Sequence, residues 1–327
     1  MMSRPSTVTA LVSALALTAC TSLSAAAQSA STPEIDDAQA LADLRALSAN
    51  FMDGRQTGTR GAGIARGYLR DRFTEAGLVP VFENYDHAFE YTARGASETS
   101  EGQNLVGMIE GREEGGPVLV ITAHYDHLGN CDGEVCNGAD DNSSGVAAMV
   151  AIAQALQSAL RGARALVADF PIPLERVALN INLDMLAINA DNELPAAGAF
   201  HFPFLRARID AAGAVAPTHL IQGYDSPEWG EHGDWTYSSD HAAFHDEGIP
   251  WVYYGVDFHE HYHQPTDEYE VVQQDFFVSN IHTVMNAVQL FDAELEDVAA
   301  DLQEMRANAP EPLGETEEGS MRKPGME

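Results

Sequence analysis

The chain has 327 residues, 45% of them hydrophobic and 8% aromatic, enough for one large α/β domain with a substantial core. Its 17 basic residues against 50 acidic ones give a formal net charge of −33. A surface this acidic repels phosphate backbones and anionic headgroups, which argues against nucleic acid as a partner.

In chain order, Arg4 and the apolar run Val8–Ala19 read as a targeting segment, too short to span a bilayer and stay as an anchor. The run ends in Leu17-Thr18-Ala19-Cys20, which resembles a bacterial lipobox whose cysteine is lipidated and becomes the first residue. Residues 1–20 are therefore expected to be a lipoprotein signal peptide, with the lipid on Cys20 as the membrane attachment facing the periplasm. The alternative is a secretory signal cut near Ala25-Ala26-Ala27. Both place the mature chain outside the cytoplasm. Residues 21–34 read as a flexible tether, 35–299 as the folded domain, and the Glu-rich stretch 300–327 as an acidic disordered tail. Beyond Cys20 only Cys131 and Cys136 remain; a Cys-x4-Cys pair without a second pair reads better as a disulfide loop than as a zinc site.

Inside the domain, Leu41, Leu44 and Leu47 predict a helix over Ala38–Leu47. A Gly/Thr/Arg-rich loop from Asp53 to Arg60 follows, then a second helix from Gly63 to Ala76 that stops at Gly77. Asn104–Ile109 and Val118–Thr122 read as strands, the latter a continuous apolar run typical of a buried parallel strand. Val146–Leu160 predicts an amphipathic helix, Val177–Leu183 and Ile249–Tyr254 strands, and Phe276–Asp292 a closing helix. Strands alternating with helices predict an α/β fold, a mainly parallel twisted sheet with helices on both faces. Ligands bind such sheets at the carboxyl ends of strands, and the conspicuous polar residues fall there.

Val118–Ala123 runs straight into His124-Tyr125-Asp126-His127. A strand-end histidine can offer one ring nitrogen to a metal while a carboxylate two residues on holds the other. Gly138-Ala139-Asp140-Asp141-Asn142-Ser143-Ser144-Gly145 feeds the next helix, where its carboxylates read equally as helix caps. Asn182-Leu183-Asp184 brings another carboxylate to the same edge, and His259-Glu260-His261-Tyr262-His263 follows a later strand. Each piece alone is weak, because a strand-end histidine is more often a satisfied structural one. Four pieces at successive strand ends point to a metal site. Histidine with aspartate and no thiolate suits zinc, and less specifically cobalt or manganese.

Together these motifs resemble the zinc aminopeptidase and glutamate-carboxypeptidase-like exopeptidases, a family that includes aminopeptidase Y and bacterial leucyl aminopeptidases. The likeness covers nearly all of 38–295: Asp53-Gly54-Arg55, His124 to Gly129, Gly138 to Gly145, Asn182 to Met185, Ser239 to Phe244, Gly248-Ile249-Pro250 and Tyr262 to Asp267. It implies a zinc-exopeptidase (phosphorylase/hydrolase-like) fold, peptide substrates and two Zn2+ ions sharing one carboxylate. Carried over by position, Asp140 would be that bridge, joined to its successor by a cis peptide. His124 and Asp184 would complete one metal's ligands and His263 would bind the other. Asp126 would orient His124. His127, His241, His259 and His261 are then supporting or surface groups.

The resemblance also implies a pair of glutamates, one the general base and the next a ligand on the His263 side. None is found between Val146 and Asp184. A strand and its catalytic loop are missing between Gln157 and Arg161, and the only carboxylates between Leu160 and Asp184 are Asp169 and Glu175. Glu175 is a remote candidate for a substitute base. Tyr237, just before Ser239-Asp240-His241, is a candidate to polarise the scissile carbonyl. Trp229, Trp235 and Trp251 fall between Tyr224 and Tyr262, as either a substrate pocket or core packing. The reading is a zinc-dependent aminopeptidase, with an impaired or inactive relative, or a gene reading that omits a segment, as alternatives. Preferred N-terminal residue, native metal and oligomeric state are not legible.

Overall fold

Asp36 caps the first helix: its carboxylate accepts from the Gln39 amide at 3.0 Å, and α1 spans Asp37–Leu47 with Leu44 and Leu47 buried. The computed structural model describes residues 34–92, 97–111, 115–159, 173–230 and 233–308. The expectations for the signal peptide, Cys20 and nearly all of the tether lie outside these residues, as do Asp169 and the stretch from 309 onward. Thr59 caps α2 (Arg60–Ala76), which therefore begins at Arg60 rather than Gly63; it ends at Gly77 in the left-handed conformation. Four strands follow: β1 (Val79–Pro80), β2 (Asp86–Thr92), β3 (Thr99–Leu105) and β4 (Gly107–Met108). β1 pairs with β4 and β2 with β3, as two separate two-stranded sheets. The strand expected over Asn104–Ile109 is thus split, because Val106 leaves the ladder to bond Tyr85 and Val81.

β5 spans Val118–Thr122, and the small hairpin of β6 (Gly129–Cys131) and β7 (Glu134–Cys136) is closed by a Cys131–Cys136 disulfide. Next come α3 (Gly145–Ala159), β8 (Val177–Leu183), β9 (Glu193–Ala197), α4 (Arg206–Gly213) and β10 (His219–Gln222). The chain closes with α5 (His241–Asp246), β11 (Trp251–Tyr254), α6 (Gln274–Ala293) and α7 (Leu295–Asn308). Residues 300–308, expected in the tail, are helical instead. Val298 and Leu302 bury one side of α7, and Arg208 binds Asp301 at 2.7 Å, which holds the extra turns.

The central sheet has the order β10-β9-β11-β8-β5, and three of its four pairings are parallel. All seven residues of β8 are buried, which requires cover on both sheet faces because successive side chains point opposite ways. β5 is different. It pairs with β8 alone among the described residues, and all five of its residues are only half-buried. No strand lies between α3 and β8 among the described residues, which fits the segment missing from the sequence. The core is continuous from α1 and α3 through β8 and β11 to α6.

Candidate metal centre

β5 and β8 run parallel with Thr122 opposite Asn182, so His124 and Asp184, each two residues further on, emerge side by side. His124 Nε2 lies 3.4 Å from Asp184 Oδ2 and 3.4 Å from Asp141 Oδ1. The other oxygen of Asp141 faces His263 Nε2 at 3.1 Å and His127 Nδ1 at 3.6 Å. His124, Asp141 and Asp184 bring ligand atoms within 4.8 Å of one another, as a metal ion requires.

The carboxylate at the centre is Asp141, not Asp140. Asp140 Oδ1 accepts from the Ala187 amide at 2.7 Å and from Ser144 Oγ at 3.1 Å, and its Oδ2 pairs with His259 Nε2 at 3.0 Å. Both of its oxygens are therefore committed. The side chains of 140, 142 and 144 act together: Asn142 Oδ1 accepts from Met185 N (3.3 Å), Ser144 Oγ from Leu186 N (2.8 Å) and Asp140 from Ala187 N. Three consecutive amides after Asp184 are caught this way, which fixes where Asp184 points. Asp141 turns to the opposite side and is free to bridge. The cis peptide is correspondingly Asp141–Asn142, one bond later than the Asp140–Asp141 bond expected from the sequence. Adjacency alone does not distinguish the two aspartates; the alternation of Asp140, Asn142 and Ser144, which share one side, is the signal that does.

The flanking glycines follow from close approach. A Cβ on Gly138, at φ +56°, would meet Asp141 O at 2.0 Å, and one on Gly145 would meet Leu183 O at 2.4 Å. Arg55, fully buried, clamps the site's loops, donating to Tyr125 O (2.8 Å), Leu47 O (2.6 Å), Asn137 O and Gly138 O (3.1 Å). Burial lowers its pKa to about 10, against the pull of Asp141, Asp267 and Asp126. Asp267 accepts from the amides of Asp140 (2.9 Å) and Asp141 (3.1 Å); burial and then the charge of Asp140 push it up to about 7.

Do these residues fit a metal? Zinc ligands at ~2.0–2.2 Å in tetrahedral geometry stand about 3.3–3.6 Å apart, close to the 3.4 Å separations around His124. Asp184 Oδ1 is buried without a hydrogen-bond partner, an arrangement that favours a cation nearby. Burial alone would lower the His124 pKa, but Asp184, Asp126 and Asp141 outweigh it and hold it well above its ordinary value. Carboxylates thus outnumber cations here, and the donor set fits zinc.

The remaining candidates lie elsewhere. His124 Nδ1 is 3.2 Å from the backbone oxygen of Asp126 and 3.6 Å from its carboxylate, which Thr57 Oγ1 holds. Tyr237 is 66% exposed, and its hydroxyl donates to Asp246 at 3.4 Å; among the described residues it has no contact with the cluster. His241 bonds Trp235 O and Asn182, and His261 bonds Thr266, so neither reaches the site. Glu175 is exposed in the turn before β8, while Asp184 follows its end; about 20 Å of strand separates them, so Glu175 is no substitute base. Trp235 and Trp251 are buried in the core, but Trp229 is 47% exposed and stacks on Tyr224 at 4.5 Å. Beside the cluster, Tyr262 is stacked between Phe258 (4.4 Å) and His263 (3.8 Å).

Residues 104–161 and 158–288 match the family model described as Peptidase family M28, together more than half the chain. The chain belongs to peptidase family M28. The M28 match falls into two pieces that overlap at 158–161, at the point where the resemblance implies a missing segment. An Escherichia coli K12 relative, the alkaline phosphatase isozyme conversion protein, is 28% identical over 122 residues, 34% of this chain and 35% of that protein. The match thus spans about a third of that relative's length. Among solved structures, the chain resembles BSAP, a zinc aminopeptidase from Bacillus subtilis, with a TM-score of 0.57 and 15% identity over 80% of this chain and 96% of that one. LapB of Legionella pneumophila gives a TM-score of 0.55 at 17% identity, covering 79% and 72%. Porphyromonas gingivalis glutaminyl cyclase gives 0.56 at 17% identity, covering 78% and 98%. At these identities the likeness is one of M28-type fold.

Proposed function

We propose that this M28 chain is a metal-dependent exopeptidase of the aminopeptidase type, with His124, Asp141 and Asp184 holding one zinc ion. The observation that carries the reading is the convergence of these three side chains at the ends of β5 and β8, with Asp184 Oδ1 buried and unpartnered. A zinc ion held there would supply Lewis-acid chemistry. The chain's own residues do the rest. The backbone of Asp126 holds His124 Nδ1, leaving Nε2 for the cluster. Asp141 presents one oxygen to each side, and the three caught amides keep Asp184 in register with His124. Phe258 and Tyr262 offer an apolar wall to a substrate side chain next to His263. The Cys131–Cys136 disulfide suits an oxidising compartment, in support of export.

One observation favours a second reading, an impaired family member. Among the described residues no glutamate pairs with His124, His127 or His263, which is in line with the glutamate pair implied by the resemblance being absent from the sequence. Aminoacyl-p-nitroanilide hydrolysis by the full chain with added Zn2+, beside Asp184→Asn and chelator controls, decides between them. Turnover lost in both controls supports the peptidase. Bound zinc without turnover supports the impaired member, and no zinc at all removes the metal reading.

A further inference from the structure

A cavity of about 200 Å³ is lined by the turn at Thr57, by Ala62 and Arg66 of α2, by Glu101 and Gln103 of β3, and by Tyr125. It adjoins the metal loop without containing a candidate ligand: Tyr125 follows His124, and Thr57 Oγ1 donates to Asp126. Its volume far exceeds the about 10–15 Å³ that one water needs, and falls short of the about 300–1,000 Å³ of a site for a drug-sized ligand. A molecule of amino-acid size is what it has room for.

The walls carry both signs of charge. On α2, Arg70 and Arg72 each meet a carboxylate, Asp86 for the one and Asp43 for the other. Arg66 meets none among the described residues, in a chain with 50 acidic residues against 17 basic ones. Its Nε is buried with no hydrogen-bond partner. A buried N–H without an acceptor is costly, and a carboxylate bound side-on would supply the acceptor while meeting a terminal N–H as well. The charge of Arg66 is felt in the wall: burial raises the Tyr125 pKa, and Arg66 pulls it back. Glu101 brings the opposite charge. Its Oε1 accepts from Gln103 Nε2 at 2.8 Å, leaving Oε2 for a cation. We propose that this cavity binds a free α-amino acid, its carboxylate on Arg66 and its ammonium on Glu101. An exopeptidase releases such a molecule, but the site needs neither turnover nor zinc, since no metal ligand lines it.

Isothermal titration of the full-length chain, freed of metal, with alanine, alaninamide and propionate tests this in the wild type, Arg66→Gln and Asp184→Asn, with circular dichroism to confirm folding. Alanine is expected to bind once per chain, to Asp184→Asn as to the wild type. Affinity should fall about 10–100-fold for alaninamide, which lacks the carboxylate, and for alanine on Arg66→Gln. Propionate, which lacks the ammonium, should lose less, because Glu101 is exposed to water. No binding of alanine to the wild type would overturn the proposal, as would unchanged affinity in Arg66→Gln. Propionate binding as tightly as alanine would overturn the amino-acid assignment. Binding lost in Asp184→Asn would place the amino acid at the metal cluster and overturn it too. Should Arg66→Gln fail to fold, alanine against alaninamide on the wild type decides: equal affinities overturn the proposal. None of these outcomes depends on zinc, so the metal reading stands or falls separately.

Discussion

β5 and β8 lie side by side and each sends one residue to the same cluster, yet the protein secures them in different ways. By composition β5, Val-Leu-Val-Ile-Thr, is the more apolar; β8 carries Asn180 and Asn182 in its centre. Even so, every residue of β8 is buried and none of β5 is. The cause is position: β8 is flanked by β5 and β11, whereas β5 has one partner among the described residues. The buried asparagines are held by their bonds to β5, although Asn180 Oδ1 is left without a partner. Asn180 donates to Thr122 Oγ1 at 3.1 Å, and Thr122 donates to Asn182 Oδ1 at 2.8 Å. Asp184 thus hangs from a fully buried inner strand, and His124 from a strand with one partner among the described residues.

Ile181 and Ile121 are register partners on these strands, so truncating each measures the difference directly. Ile181→Ala, at 0% exposure, is expected to cost toward the upper end of about 2–5 kcal/mol. Ile121→Ala on the half-buried edge should cost about 1–2 kcal/mol, because part of its area is already in water. Urea unfolding of both variants reads the gap. Equal losses would mean that β5 is covered in solution, and the contrast between the strands would fall.

Acidification probes β8 from its other side. Asn182 donates to His241 Nδ1 at 3.3 Å, while His241 Nε2 donates to Trp235 O at 2.8 Å. Both nitrogens are committed with the ring neutral, and a second proton would set donor against donor. Burial, with repulsion from His245 and His201, lowers its pKa to about 4. Above the unfolded value near 6.5 both states are neutral and the group has no effect. As pH falls from there toward 4, the unfolded chain binds a proton that the folded chain refuses, so stability declines; below 4 the loss levels off. At about 1.4 kcal/mol per unit, the loss is on the order of 3 kcal/mol. His241→Asn should flatten the wild-type decline between pH 6.5 and 4 in thermal or urea melts. An unchanged slope would show that other groups carry it.

The two strands also show what the sequence made legible. β5 and β8 were readable to the residue, because continuous apolar or β-branched runs bounded by turns leave little choice. The half-burial of β5 was not readable, since hydropathy does not count neighbours. The short strands β9 and β10 and the helix α5 escaped because four to six residues carry no reliable period. At the site, His124 and Asp184 stand out by their places at strand ends, and His263 only through the family resemblance. Asp141 was missed for Asp140, because the choice depends on a turn that sends adjacent carboxylates to opposite sides.

The smallest effect concerns how His124 is aimed from its edge strand. From the sequence the carboxylate of Asp126 is the natural partner for Nδ1, and losing such a partner typically lowers metal affinity ~10–100-fold. In the structure the backbone oxygen of Asp126 makes the closer contact, 3.2 Å against 3.6 Å for the carboxylate. The carboxylate is meanwhile held by Thr57. Asp126→Asn keeps the backbone contact and the side-chain shape, so zinc affinity should fall by less than ~10-fold. Competition against a chelator of known affinity measures the change. A loss beyond that range would mean the carboxylate, rather than the backbone, aims the imidazole. His124 on β5 would then depend on a side chain, as Asp184 on β8 depends on Asp140, Asn142 and Ser144.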